Sequence, residues 1–424
     1  MTRLALHGGK PVLQGPLPAY SSIGPEEAQA VRRVFDGGSL SSFYGSWGAQ
    51  FLGGEFVQAF ERAWAARFDV PHAVSVNSAT SGLFAAMGAI GVGPGDEVIV
   101  PPYTMSATVM APLIYGGIPV FADIDPETFC LDPRAVRAAI TPRTKAILAV
   151  NLFGHPAPLA ELASLATAHG LALIEDNAQG PLAAEGGRYA GTVGDIGVFS
   201  LNYHKHIHCG EGGVCVTRDP QLALRLQAIR NHAENIVEDV DVGGLANMVG
   251  FNYRLTEMSA AVGIEQLRKV DREVGYREHI AQRLSAGLCE LEGLTVPQVR
   301  EGCRHVYYVW ALRVDEKALG IARADFSRAL TAEGFPHFTG YVKPLYLLPL
   351  FQKRIAIGRE GWPFTLTERQ YAKGLCAVAE RMHEHEFIGF ETCGYALDDA
   401  TIDRLIEAVR KVHALRGSIG AAAA

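Results

Sequence analysis

The sequence predicts a mainly parallel α/β sheet between layers of helices, followed by a smaller C-terminal α/β domain. From residue 72 onward, short apolar runs alternate with helical patterns. Those runs lack the period-two polarity of a half-exposed strand, so both of their faces are expected to be covered. A chain of 424 residues, 48% hydrophobic and 20% charged, also exceeds one ordinary core and suits two domains.

Residues 1–24, rich in glycine and proline, form an extended arm across the surface. Pro25-Glu26-Glu27 opens a helix that runs to Phe35; proline costs no hydrogen bond in a first turn. Residues 37–54 are a glycine- and aromatic-rich loop, and a helix follows over 55–68. A strand over 72–76 leads into an alanine-rich helix over 79–90. A strand over 97–100 ends in Pro101-Pro102 and precedes a helix over 106–115. Strands over 119–122 and 146–150, a helix over 159–169, and apolar strands over 171–174 and 196–199 continue the alternation. A helical stretch over 221–232 gives way to an irregular one over 233–250. Residues 256–291 are largely helical, with Gly263 and Gly275 as candidate breaks. The domain change falls there, giving an arm and large domain over 1–264 and a small domain over 265–424. The small domain carries a strand candidate over 306–314, helices over 325–333 and 399–414, and a Gly/Ala tail expected to be disordered.

Composition excludes several functions. The chain has 38 Lys+Arg against 45 Asp+Glu and no basic run, so nucleic-acid binding has no electrostatic support. No apolar stretch reaches membrane-spanning length and the N-terminus has no apolar signal core, which suits a cytoplasmic protein. The seven cysteines are scattered without a C-x-x-C pair, as expected of reduced, structural thiols.

Ligands of parallel sheets bind beyond the C-terminal strand ends. Asn77, Pro101, Asn151, Asp176 and Ser200 all fall there. Ser200-x(4)-Lys205 lies just past the 196–199 strand, and Asp176 ends the 171–174 strand segment. A lysine amine condenses with an aldehyde, and a carboxylate against a pyridine nitrogen keeps that ring protonated. Those two groups point to pyridoxal phosphate chemistry, with Lys205 and Asp176 as the catalytic pair. Asp176 could otherwise cap a helix. Glu175 should face the other way, as neighbours on a strand do. Asn77-Ser78-Ala79-Thr80-Ser81-Gly82 can cradle a phosphate at a helix N-terminus, although N-capping by Ser78 also explains it. Ser200 can reach the same phosphate. Gln179 can donate to the cofactor's phenolic oxygen, with Asn177 and Asn202 as alternatives. His204, His206 and His208 invite a metal reading. On a flat strand, however, they would share the face opposite Lys205, the run enters a Gly-rich turn rather than a long strand, and no fourth ligand is apparent, so no metal is expected.

The ordered motifs resemble the DegT/DnrJ/EryC1/StrS family of sugar and cyclitol aminotransferases, from about Leu4 to the 410s. The resemblance rests on Asn77-Ser78-Ala79-Thr80, Pro101-Pro102-Tyr103-Thr104, Glu175-Asp176-Asn177-Ala178-Gln179, Ser200-x(4)-Lys205 with Gly210-Glu211-Gly212-Gly213, and Gly250 through Glu257. It implies a type I, aspartate aminotransferase-like fold and pyridoxal 5'-phosphate as cofactor. It further implies Lys205 as Schiff-base lysine and proton shuttle, Asp176 at the pyridine nitrogen and Gln179 at its phenolic oxygen. Ala79, Thr80 and Ser200 would hold the phosphate, with Asn252 reaching it from a neighbouring subunit. The implied assembly is a homodimer with shared sites. Some dehydratases of the family replace the lysine by histidine; retention of Lys205 favours transamination. Where the family places an aromatic ring over the cofactor this chain has Met105, so either its thioether packs there or Tyr103 substitutes.

The 4–12 and 340–346 segments resemble the aminocyclitol branch, which implies an amino group moving from L-glutamine or L-glutamate to a scyllo-inosose or 2-deoxy-scyllo-inosose in antibiotic biosynthesis. The donor carboxylate would need an arginine, with Arg230, Arg254 and Arg304 as candidates. His232 and Tyr341 are candidates for the polyhydroxylated acceptor. Alternatives are a nucleotide-sugar aminotransferase, a 3-amino-5-hydroxybenzoate synthase-like enzyme, a pyridoxal phosphate-dependent dehydratase and a non-catalytic cofactor-binding protein.

Overall fold

In the computed structural model, which describes residues 3–419, seven strands form the central sheet. In chain order they are β1 (His72–Val76), β2 (Glu97–Val100), β3 (Ile118–Phe121), β4 (Thr144–Val150), β5 (Ala172–Asp176), β6 (Ile196–Ser200) and β7 (Gly213–Thr217). Their spatial order is β1-β7-β6-β5-β4-β2-β3. Strands β6, β5, β4, β2 and β3 are parallel, while β7 runs antiparallel to both β1 and β6. Four strands, β2, β3, β6 and β7, are buried along nearly their whole length, which is why they carry no alternation.

Helices at 79–89, 106–113, 159–169 and 220–230 cover this sheet. Local chemistry sets their starts. Ser78 caps the first of them by accepting from Ser81 N, and Asp219 with Pro220 opens the last. Strand β7 and the helix Pro133–Ala139 were not anticipated from the sequence.

The helix Glu257–Leu288 runs unbroken for 32 residues, so neither candidate glycine breaks it. At Gly263 an added Cβ would stand 2.9 Å from the Phe60 ring, so glycine there lets the 55–68 helix cross closely. Gly275 faces open space. The 264/265 division falls inside this helix, whose last turns pack in a second core. That core surrounds a four-stranded antiparallel sheet of β8 (Leu294–Thr295), β9 (Val309–Val314), β10 (Phe338–Thr339) and β11 (Phe387–Glu391), in the order β8-β9-β11-β10. Trp310, Phe326, Phe390 and Leu405 fill it.

Leu4 and Leu13 of the N-terminal arm are buried in the same second core, so the arm packs with the C-terminal residues. Glu333 anchors it, accepting from Ala5 N at 2.8 Å and Val12 N at 3.1 Å while pairing with Lys411 at 2.8 Å. The tail beyond Ile419 lies outside the described residues.

The 345–376 segment wraps back over the large sheet. Phe351, Phe364 and Tyr371 pack edge-on around one another, and Phe351 and Tyr371 also meet Phe121 edge-on. Burial alone would raise the Glu97 carboxyl, but hydrogen bonds from Arg369, Thr141 and Arg143 hold it down at about 2. Among the described residues no helix is long and apolar enough to cross a membrane.

Candidate active site

The C-terminal ends of β4, β5 and β6 and the start of the 79–89 helix line a cavity open to solvent on one side. Ser78, Ala79, Thr80, Met105, Asp176, Gln179, Ser200 and Lys205 all line it. Asp176 leaves the end of β5 only 5% exposed. Its carboxylate accepts from the Thr108 hydroxyl at 2.7 Å and from Ala178 N at 3.1 Å. Burial pushes this carboxyl up, against the hydrogen bond from Thr108. Glu175 points to the opposite side and accepts from the N–H groups of Gly191, Val193 and Gly194, which makes it a fastening for the loop before β6.

Beyond Ser200 the chain makes a turn in which Lys205 N donates to Asn202 O at 3.0 Å. Loss of solvent around the Lys205 amine lowers its pKa to about 8, with the nearby Asp176 charge opposing the fall. The amine faces the ring of Tyr308, 4.3 Å from its centroid, and makes no ion pair among the described residues. The same cavity is lined by Ala79 and Thr80, whose N–H groups begin the 79–89 helix and have no intrahelical acceptor. Gly213 lets the start of β7 pass close to this helix end: a Cβ there would stand 2.7 Å from Ala79 N. Ser78 both caps the helix and lines the cavity, so the two readings of that residue coexist.

Gln179 is held by Phe153 N, which donates to its Oε1 at 2.7 Å, and its Nε2 donates to the Tyr341 hydroxyl at 3.0 Å. Tyr341 therefore stands behind Gln179 and is not part of the cavity wall. Asn177 is buried in the loop, donating to Gly180 O and Ala190 O. Asn202 does reach the cavity; its Nδ2 donates to Glu211 at 2.8 Å and its buried Oδ1 has no partner. Tyr103 is wholly buried and donates to Gly340 O, so it does not substitute for Met105, which is 55% exposed at the cavity.

The 204–208 run is a turn, as the glycines after it imply, so strand alternation does not sort its side chains. His204 lines the same cavity as Lys205, whereas His206 is buried with Nε2 2.8 Å from Val306 O. Among the described residues, no cluster of three or more His, Cys, Asp or Glu is disposed to hold a metal ion. His232 and Arg254 lie outside the cavity. His232 faces Glu234 at 3.5 Å, and Arg254 donates to Asn231 at 2.8 Å. Arg230 and Arg304 are taken up in ion pairs with Glu61 and Glu278, both at 2.6 Å. Asn252, expected to serve a neighbouring subunit, is exposed and lies outside the wall of its own cavity. Thr108 and Tyr308 were missed by sequence reasoning. A hydroxyl two residues into a helix and a tyrosine about a hundred positions from the lysine give no local signal.

These residues fit one kind of ligand. Free helix N–H groups suit a phosphate, an unpaired amine suits an aldehyde, and a buried carboxylate of raised pKa needs a cationic partner such as a protonated ring nitrogen. Pyridoxal phosphate carries all three. The fold is that of the type I, aspartate aminotransferase-like enzymes, and the protein is a pyridoxal phosphate-dependent aminotransferase. It belongs to the DegT/DnrJ/EryC1/StrS aminotransferase family, whose model matches residues 23–380.

Among curated relatives it is 36% identical to the L-glutamine:2-deoxy-scyllo-inosose aminotransferase of Streptoalloteichus tenebrarius over 371 residues, 84% of this chain and 86% of that one. It is 31% identical to the spore coat polysaccharide biosynthesis protein SpsC of Bacillus subtilis, over 92% of this chain and 95% of the relative. The crystal structure of DesI in the presence of its TDP-sugar product superposes with a TM-score of 0.80 at 29% identity, covering 97% of this chain and 96% of that one.

Proposed function

We propose that this aminotransferase takes its amino group from L-glutamine or L-glutamate and delivers it to a ketone of a scyllo-inosose or 2-deoxy-scyllo-inosose type cyclitol. The observation that carries this reading is the charge of the cavity wall. Lys205 is its one cationic side chain among the described residues, while Asp176 and Glu211 are acidic. A nucleoside diphosphate needs donors or cations for two further phosphates. An uncharged polyol needs hydrogen-bonding groups such as Asn202 and His204. The likeness to the inosose aminotransferase supports the same acceptor.

In this reading Ser78, Ala79, Thr80 and Ser200 hold the cofactor phosphate, Asp176 faces the ring nitrogen, Gln179 the phenolic oxygen and Met105 the ring. Pyridoxal phosphate supplies an aldehyde for amines and a protonated ring that stores the electron pair of a broken C–H bond. Lys205 Nζ takes the proton from the donor's α-carbon and later gives one up, as base and then acid. Its lowered pKa keeps a useful share of free amine near neutrality. Thr108 and Ala178 N fix the Asp176 carboxylate so that its charge does not swing away from the ring. Exposed Asn252, with exposed Tyr44, Trp47, Leu245 and Val249, supports a homodimer in which Asn252 completes the phosphate site of its neighbour.

The lysine makes capture of the cofactor pH-dependent. Only the free amine condenses with the aldehyde. The rate at which cofactor-free protein acquires lysine-bound absorbance should therefore rise through about pH 8 and level off above it. A midpoint at or above the ordinary lysine value of 10.5 would show that the amine is solvated instead.

A nucleotide keto-sugar is the competing acceptor, favoured by the superposition on DesI with its TDP-sugar product. A single-turnover experiment separates the two. The enzyme is loaded with L-glutamine, freed of excess, and offered scyllo-inosose, 2-deoxy-scyllo-inosose or nucleotide keto-sugars separately. Return of the starting absorbance with an inosose is expected; return with the nucleotide sugars alone would defeat the cyclitol reading.

A further inference from the structure

We infer that Tyr308 is a positioning residue for Lys205, the face of its ring holding the lysine nitrogen at one place in the cavity. The inference rests on the proposed role of Lys205. Tyr308 immediately precedes β9, and its ring centroid is 4.3 Å from Lys205 Nζ. An aromatic face carries negative charge and attracts a cation at this range. The choice of partner has a chemical consequence. A carboxylate in contact would hold the amine protonated, whereas a ring face locates the nitrogen and still lets it lose its proton.

The ring is itself held firmly. His206, next to Lys205, donates from Nε2 to Val306 O at 2.8 Å, joining the lysine turn to the 305–308 segment. Val306 N donates to Gly154 O at 2.9 Å. Tyr307 stacks on His305 with centroids 3.9 Å apart, and its carbonyl accepts from the Thr392 hydroxyl. Three separate segments, at 154, 206 and 392, therefore fix the backbone that carries Tyr308. This gives buried His206 a structural task and absorbs a histidine that the chemistry does not use.

The other groups acting on the Lys205 charge are Asp176 at the end of β5, Glu391 at the end of β11, Cys393 just beyond it, and His204 and His206 on its own turn. The test leaves all of them in place. In the holoenzyme, the absorbance of the lysine-bound cofactor is titrated in wild type, Tyr308→Phe and Tyr308→Leu. Leucine keeps the site apolar but has no ring face. Tyr308→Phe should titrate with wild type. Tyr308→Leu should lower the apparent pKa by about half a unit, with kcat falling roughly threefold.

A series of increasingly fluorinated phenylalanines at position 308 keeps the ring shape while draining its face of charge. It should lower the apparent pKa progressively. This series decides the matter if Tyr308→Leu does not fold. A flat series overturns the inference, as does Tyr308→Leu titrating with wild type or Tyr308→Phe shifting as far as leucine. Borohydride trapping in the same wild-type sample separates the two failures. A label on Lys205 with unmoved titrations defeats the inference alone, and a label elsewhere defeats the underlying reading.

Discussion

Lys205→Ala is expected to fold, to bind pyridoxal phosphate without a covalent link, and to lose turnover by roughly 10⁴-fold or more. The loss is large because covalent attachment and proton transfer belong to the same nitrogen. Binding should survive, since the helix N–H groups at Ala79 and Thr80 and the Asp176 carboxylate do not depend on Lys205. The variant should lack the absorbance of lysine-bound cofactor. His204→Ala and His206→Ala should retain it, because an imidazole cannot supply the amine. The checks are absorbance spectra, circular dichroism and steady-state kinetics. Substantial turnover in folded Lys205→Ala would remove the lysine from the chemistry.

Asp176→Asn is the second large effect, with kcat expected to fall roughly 10²- to 10³-fold while the fold is kept. Asparagine preserves the size of the side chain and an acceptor oxygen for the Thr108 hydroxyl. What it loses is the negative charge beside the ring nitrogen. The ring then protonates less readily and stores the electron pair poorly. Cofactor content and kcat together check this: a fully loaded variant within tenfold of wild type would show that no counter-charge is needed at the ring.

The strand-end motifs were legible in the sequence because each is short and local. Burial runs without alternation located β1, β2 and β6, and the residues just past strand ends 176 and 200 proved to share one cavity. The limits were of three physical kinds. Antiparallel β7 begins at glycines that read as a loop, and only pairing with β1 and β6 makes it a strand. Gly263 and Gly275 looked like helix breaks because their reasons, a close crossing at Phe60 and open space, are tertiary. His232, Arg254 and Tyr341 lie outside the cavity wall, and neither residue type nor a local motif says which way a side chain faces. Thr108 and Tyr308 show the reverse: they act on Asp176 and Lys205 only through contacts between segments distant in sequence.

The central claim is that Lys205 bears the cofactor. Borohydride reduction of the holoenzyme, proteolysis and mass mapping of the phosphopyridoxyl peptide test it most directly. The account predicts a single label on Lys205, within the peptide that also carries His204 and His206. A label on any other lysine, or none on a protein that binds the cofactor and turns over, would contradict it.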